Sequence, residues 1–199
     1  MNITGLTGAG LQMFSHGVMT ALFFSCVGMV YDQAHTRDLP SLGGFIKKMP
    51  WVGTAFILGG LVSMGMPGFS GFIAEFPILT GIWKGVPDEV LGAVSGGEPT
   101  YLLENAVTSA GSYYVYIVAA LVLGIILTAA YVLRVTGQVF FGEFDEERFP
   151  GITDIGVLDR VVLVMLGFWL IFVGVYPDYL SNLIESGMLP VADLLAGRF

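Results

Sequence analysis

The chain has 199 residues, of which 55% are hydrophobic and only 12% are charged, and its formal net charge is −8. Soluble domains carry about 25% charged residues, so this composition excludes an ordinary soluble protein and predicts an all-α polytopic membrane protein in a lipid bilayer. An acidic chain without a basic patch also excludes nucleic acid as a partner. The single cysteine, Cys26, lies in an apolar run and offers neither a disulfide partner nor a metal-binding spacing, so we predict no metal site.

The first predicted span covers residues 8–31, and His16 is its only histidine or charged residue. A histidine here is either packed against a neighbouring helix, with a hydrogen bond from Ser15 or Gln12, or part of a proton relay. Imidazole titrates near neutral pH, and an ionisable group inside a membrane is by default a candidate for function. Position alone leaves both interpretations open.

The second span, residues 51–85, is apolar but interrupted, and Glu75 is the only charged residue between Trp51 and Trp83. A carboxylate within a bilayer is costly unless it faces protein or water, and broken helices are a common way to build ion sites in transporters. Proline removes a backbone N–H and glycine permits non-helical geometry, so these residue types predict a break beside Glu75. The predicted helix-break residues are Gly65, Pro67, Gly68, Gly71 and Pro77.

Residues 51–85 are expected to cross the membrane once, because a single crossing gives the stronger asymmetry of basic residues. With one crossing, six of the eight basic residues fall on one side, whereas two crossings divide them five to three. Basic residues favour the cytoplasmic side. The six are Arg37, Lys47, Lys48, Arg134, Arg148 and Arg160.

Two further spans are predicted at residues 112–134 and 157–176, which brings the total to four crossings within one membrane domain, residues 1–199. The intervening segment 86–111 has four carboxylates and no lysine or arginine, which is typical of an outer loop. Residues 179–199 alternate apolar and polar positions and suggest an amphipathic helix on the surface or against a neighbouring subunit. Both termini are then expected on the outer face.

Four stretches of this sequence resemble one family, the antiporter-like M chain (subunit 4) of respiratory complex I, the NADH–quinone oxidoreductase. They are LQMFSHGVMTALFF, VYDQAHTRDLPSLGG, SMGMPGFSGFIAEF and GVYP, at residues 11–24, 30–44, 63–76 and 174–177. The sister chains L and N are similar here but typically have lysine at the position of Glu75, so the glutamate favours the M type.

The resemblance implies the second-repeat part of an antiporter-like fold and a role in proton translocation coupled to quinone reduction. Glu75 falls on the family's terminal proton-path acid, and His16 on the histidine of the preceding helix. The family's central lysines and first-repeat glutamate lie upstream of the matched region. A partner chain supplying the missing N-terminal repeat, together with other membrane-arm subunits, is therefore expected.

By the same resemblance the chain is a subunit of an enzyme complex and not catalytic alone, with no cofactor of its own. Its expected location is the cell (inner) membrane, or the inner organellar membrane in a eukaryote. Two alternatives remain: a subunit of an Mrp-type sodium/proton antiporter or of a membrane-bound hydrogenase, or a structural membrane-arm fragment.

Overall fold

The computed structural model describes residues 2–83 and 113–195, and this part of the chain is α-helical without β-strands. The all-α prediction is therefore confirmed. The predicted acidic outer loop, residues 86–111, lies outside the described residues. The helices are α1 (Ile3–Ala34), α2 (Pro50–Ser63), α3 (Ser70–Trp83), α4 (Tyr113–Phe140), α5 (Val157–Val175) and α6 (Asp178–Leu195).

Three of these helices, α1, α4 and α5, are long and apolar enough to cross a membrane. Helices α2 and α3 have 14 residues each, which corresponds to about 21 Å and is too short for a hydrocarbon core of ~30 Å. Together they are long enough for a fourth crossing.

Helix α1 extends beyond its predicted limits of 8 and 31 because capping residues, and not hydropathy, define its ends. At the start, the Asn2 side chain accepts a hydrogen bond from the Gly5 N–H (3.0 Å) and donates one to the Gly81 carbonyl (2.7 Å). At the end, His35 adopts a left-handed conformation (φ 53°) and its N–H bonds the Tyr31 carbonyl.

Helices α2 and α3 are stacked end to end along α1, which runs antiparallel to both. Three contacts, in order along α1, show this arrangement. Gly5 meets Gly81, Ser15 meets Ser70, and the Phe23 ring lies 4.8 Å from that of Phe56. The partner positions decrease steadily from 81 to 56, so the chain does not reverse at the break. The predicted single discontinuous crossing is confirmed.

Helix α5 packs along the same stack through two glycines. A Cβ at Gly167 would lie 2.9 Å from Leu58 of α2, and one at Gly174 would lie 2.3 Å from the Gly68 carbonyl oxygen. Helix α4 contacts α2 near Gly60, where Val132 is within 2.9 Å of an ideal Cβ. These approaches place α4 and α5 beside the broken helix.

Helix α6 lies against the N-terminal part of α1, where Ile184 is within 2.5 Å of an ideal Cβ at Gly10. None of its residues is buried, and its apolar side chains include exposed Tyr179, Leu183 and Leu194. The predicted amphipathic tail is thus a helix on the surface of the bundle.

The two polar segments that precede α2 and α5 pack together at one end of the bundle. The Gly44 N–H donates to the Phe141 carbonyl (2.9 Å), and Phe45 is fully buried against Phe144 and Phe149 at centroid distances of 5.3 and 5.4 Å. Both segments therefore lie on the same side of the membrane.

A salt bridge joins these segments at their surface. Lys48 Nζ lies 2.7 Å from Glu146 Oε1, and the hydrogen bond from Lys48, with its charge, lowers the pKa of the Glu146 carboxyl below its usual value. The Glu146 side chain is exposed, so we attribute the docking of the segments to the aromatic cluster.

The helix contact at Gly81 predicts a stability difference between two Gly→Ala substitutions. In Gly81→Ala the new Cβ would lie 2.5 Å from backbone atoms of Gly5, and backbone cannot move as a side-chain tip can. We expect a loss of about 1–3 kcal/mol, typical of overpacking. In Gly17→Ala, a substitution within α1, the Cβ enters open space, so stability should stay equal or rise. Thermal unfolding of the purified protein measures both, and equal transition temperatures would contradict the close helix contact.

The sidedness can be measured by cysteine labelling. We expect Ser41→Cys to react with an impermeant maleimide only after the membrane is permeabilised, because residue 41 belongs to the basic side. Ser186→Cys, on exposed α6, should react in intact cells. The native Cys26 is fully buried and gives a low background. Reaction of both introduced cysteines from the same side would refute the topology.

Candidate functional site

The break between α2 and α3 comprises residues 64–69, and a regular C-terminal capping motif forms its first half. The Gly65 N–H bonds the Val62 carbonyl (3.1 Å), and the Met66 N–H bonds the Leu61 carbonyl (3.1 Å). This is the Schellman pattern, which requires a left-handed residue, and Gly65 has φ +65°. Pro67 follows, where it prevents the helix from continuing. Gly65, Pro67 and Gly68 thus lie in the break, as predicted.

Gly71 and Pro77 do not belong to the break, so their assignment to it was wrong. Both lie inside α3. Gly71 instead permits a close helix approach, because a Cβ there would lie 2.2 Å from the Val62 carbonyl oxygen. Pro77 removes one backbone donor, but α3 continues through it to Trp83.

Glu75 lies in α3 with its carboxylate turned back towards the break. An ideal Cβ on Gly65 would lie 2.7 Å from Glu75 Oε2, so the carboxylate occupies the space left by the missing side chain. The Gln12 side chain of α1 contacts the same carboxylate. Gln12 Oε1 is itself buried and has no hydrogen-bond partner within the part of the chain that the structure describes.

A cavity of about 220 Å³ adjoins the Glu75 carboxylate. Its polar lining comes from four helical segments: Gln12, Ser15 and His16 of α1, Ser63 of α2, Glu75 of α3, and Thr128 and Tyr131 of α4. A second, more apolar cavity of about 340 Å³ continues from Glu75 between α3 and α4, past Leu79 and Ile125. A polar cavity of this size has room for several water molecules, which would also satisfy Gln12 Oε1.

His16 lies one helical turn after Gln12 and lines the same cavity as Glu75. Its side chain is exposed, and Ser15 bonds Ser70 Oγ (2.8 Å) instead of His16. Within the described residues His16 and Glu75 form no ion pair. The structure therefore brings the two predicted residues to one cavity without direct contact, and water would have to connect them.

Sequence reasoning did not identify Ser63, Ser70, Thr128 and Tyr131 as part of this site. Ser70 begins α3 and joins it to α1, while Thr128 and Tyr131 are three residues apart on one face of α4. The presence of Thr128 and Tyr131 depends on how α4 packs against the break, for which the sequence contains no local signal.

The described residues contain no group of three histidine, cysteine, aspartate or glutamate side chains able to hold a metal ion. Cys26 lies in the buried apolar core with Leu22 and Phe56.

Comparison with known families agrees with this architecture. Residues 1–97 match the family model described as the NADH:quinone oxidoreductase/Mrp antiporter transmembrane family. The NADH-quinone oxidoreductase subunit M of Rhodobacter capsulatus is 32% identical over 183 residues, covering 92% of this chain and 30% of that protein. The chloroplastic NAD(P)H-quinone oxidoreductase chain 4 of Marchantia polymorpha is also 32% identical, with 92% and 32% covered. The chain thus spans about a third of the length of these relatives.

Among solved structures, the Mrp complex from Dietzia sp. DQ12-45-1b is similar over 97% of this chain and 39% of that chain. The TM-score is 0.67 at 19% sequence identity, which indicates a shared antiporter-like fold. Residues 1–97 of the chain thus match the NADH:quinone oxidoreductase/Mrp antiporter transmembrane family, and the resemblance of the chain to subunit M (chain 4) is confirmed.

Proposed function

We propose that this chain is part of a proton-translocating membrane-arm subunit of an NADH–quinone oxidoreductase, and that Glu75 is the group that takes up and releases the proton. The observation that carries the proposal is the position of Glu75. Its carboxylate lies against Gly65 of the helix break and lines a polar cavity inside a membrane bundle.

This position suits a proton carrier for a physical reason. A charged carboxylate in hydrocarbon is costly, whereas a carboxyl group beside water and free backbone groups can change its charge as its surroundings change. The break lies beside this cavity, because residues 64–69 are not helical and the flanking residues Ser63 and Gly71 line the cavity together with Glu75.

His16 and Gln12 are the proposed connection from Glu75 to α1. Both line the cavity and occupy one face of α1 at a spacing of four residues. A water chain between the imidazole and the carboxylate would let protons pass without a direct hydrogen bond between these side chains.

In this proposal electron transfer belongs to partner subunits, and the chain holds no cofactor. The relatives named as subunits of NADH-quinone oxidoreductases suggest membrane-arm partners, and a further chain or segment would supply the remaining antiporter-like repeat. The chain would contribute the part of the proton path that contains the terminal carboxylate.

A second candidate is a subunit of an Mrp-type antiporter, since the family description names both classes and an Mrp complex shares the fold. The matches to subunit M and chain 4 favour the oxidoreductase. Sodium dependence of proton movement in vesicles without NADH would instead favour the antiporter.

Substituting Glu75 tests the proposed proton site. We expect Glu75→Gln to assemble, because the amide keeps the shape and hydrogen bonding, but to lower the number of protons translocated per electron. Glu75→Asp should retain part of this ratio. The measurement is proton uptake in vesicles that contain the fully assembled complex.

Glu147→Gln is the matched control, since it removes an exposed carboxylate on the polar segment before α5. Its ratio should equal that of the wild type. An unchanged ratio in assembled Glu75→Gln would exclude Glu75 from the proton path and leave a structural role for the chain.

Two glycines in the break test whether the placement of the Glu75 carboxylate matters. Gly65→Ala and Gly68→Ala both place an L-residue at positive φ (+65° and +96°), which costs about 1–2 kcal/mol. Only Gly65→Ala adds a Cβ within 2.7 Å of Glu75 Oε2, whereas a Cβ at Gly68 meets open space. We expect a lower proton-to-electron ratio in Gly65→Ala alone. Equal ratios in the two variants would show that this contact has no part in translocation.

A further inference from the structure

An apolar groove of about 380 Å³ lies on the opposite side of the broken helix from α4, between α2 and α5. Its floor is formed by small or buried residues, Ala55, Leu163 and Gly167, and exposed Trp51 and Phe168 form its sides. Gly167 is needed for this shape, because a Cβ there would approach Leu58 to 2.9 Å.

One end of the groove carries a fixed cation. The Arg160 guanidinium carbon lies 5.6 Å from the centroid of the Trp51 ring, and Arg160 Nε donates to the Ile155 carbonyl (3.1 Å). Leu163 and Val164 of the groove are three and four residues further along α5, on the same helix face. No hydrogen bond or salt bridge within the described residues uses the terminal guanidinium nitrogens, so they can contact an anion at the entrance.

No carboxylate of the described residues forms a salt bridge with this guanidinium. The nearest acidic residue in sequence, Asp159, has Oδ2 3.6 Å from an ideal Cβ on Gly156, at the start of α5. The positive charge of Arg160 is thus held by an aromatic ring and a backbone carbonyl, and it has no counter-charge from the described residues.

The charged end lies on the basic side of the membrane. Trp51 is the second residue of α2, directly after the segment that contains Lys47 and Lys48, and tryptophan is typical of membrane interfaces. From there the groove extends along α2 to Leu58, about 10 Å into the apolar region at 1.5 Å per residue.

We propose that this groove binds one acyl chain of an anionic phospholipid, whose phosphate contacts the Arg160 guanidinium. The charge favours a lipid over a protein helix. An apolar helix in the groove would cover Arg160 without necessarily supplying an anion, whereas a phospholipid supplies both the apolar chain and the phosphate.

Lipid retention by the purified complex containing this chain tests the proposal. The complex is equilibrated with equal amounts of phosphatidylglycerol and phosphatidylcholine of the same chain length, and bound lipid is counted by native mass spectrometry. We expect the wild type to retain phosphatidylglycerol preferentially. Arg160→Gln should reduce that preference about fivefold, the effect of one basic side chain at an anionic surface.

Two further variants separate the groove from the charge. Thr54→Leu adds bulk at an exposed position in the groove lining and should lower retention of the lipid while Arg160 is intact. Arg148→Gln is the control, because Arg148 also lies over an aromatic ring, that of Phe149, but outside the groove. It should retain lipid as the wild type does.

The proposal is overturned if the wild type retains both lipids equally, because lipid that merely surrounds the protein would be retained without preference. It is also overturned if Arg160→Gln keeps the preference or if Thr54→Leu retains as much lipid as the wild type. The same holds if Arg148→Gln loses the preference for phosphatidylglycerol as strongly as Arg160→Gln does. None of these outcomes depends on whether Glu75 carries protons.

Discussion

The interruption of a membrane helix at residues 64–69 is the constraint on which the rest of the structure depends. Backbone N–H and C=O groups in hydrocarbon need partners, and an interruption leaves several without their helical bonds. At the end of α2, Gly65 closes the capping motif that satisfies the last carbonyls. At the start of α3, Ser70 is held by Ser15 of α1, and Glu75 turns back to fill the space beside Gly65. The carboxylate is therefore part of the way this break is accommodated in the membrane.

The helices around the break are packed so that they fix its position. Gly81 lets α3 approach α1 at backbone distance, and Gly174 lets α5 approach the break itself. A continuous helix, α1, spans the whole stack and aligns two segments that are each too short to cross alone. Close packing of small residues is a usual source of stability between membrane helices, where apolar burial contributes little.

The sequence predicted the features that depend on local chemistry. Four crossings follow from apolar runs, and the break follows from Gly65, Pro67 and Gly68 beside a lone charge. Features that depend on packing were not predictable in this way. Helix α4 does not end at the predicted residue, 134. It continues to Phe140, into the polar end of the bundle. Likewise Thr128 reaches the cavity only because α4 lies against α2 and α3.

The Ser15–Ser70 hydrogen bond has a mechanical consequence. It ties α3 to α1, whereas α2 begins at the aromatic cluster around Phe45, so the two halves of one crossing are anchored at different places. Gly65 follows α2, the half that is anchored at the aromatic cluster. Glu75 lies in α3, the half that is anchored by Ser15, and the two residues meet across the break. Any axial shift of α2 relative to α1 therefore changes the separation between Gly65 and the carboxylate. A displacement of α2 at the polar end of the bundle would therefore change the immediate surroundings of one ionisable group, Glu75.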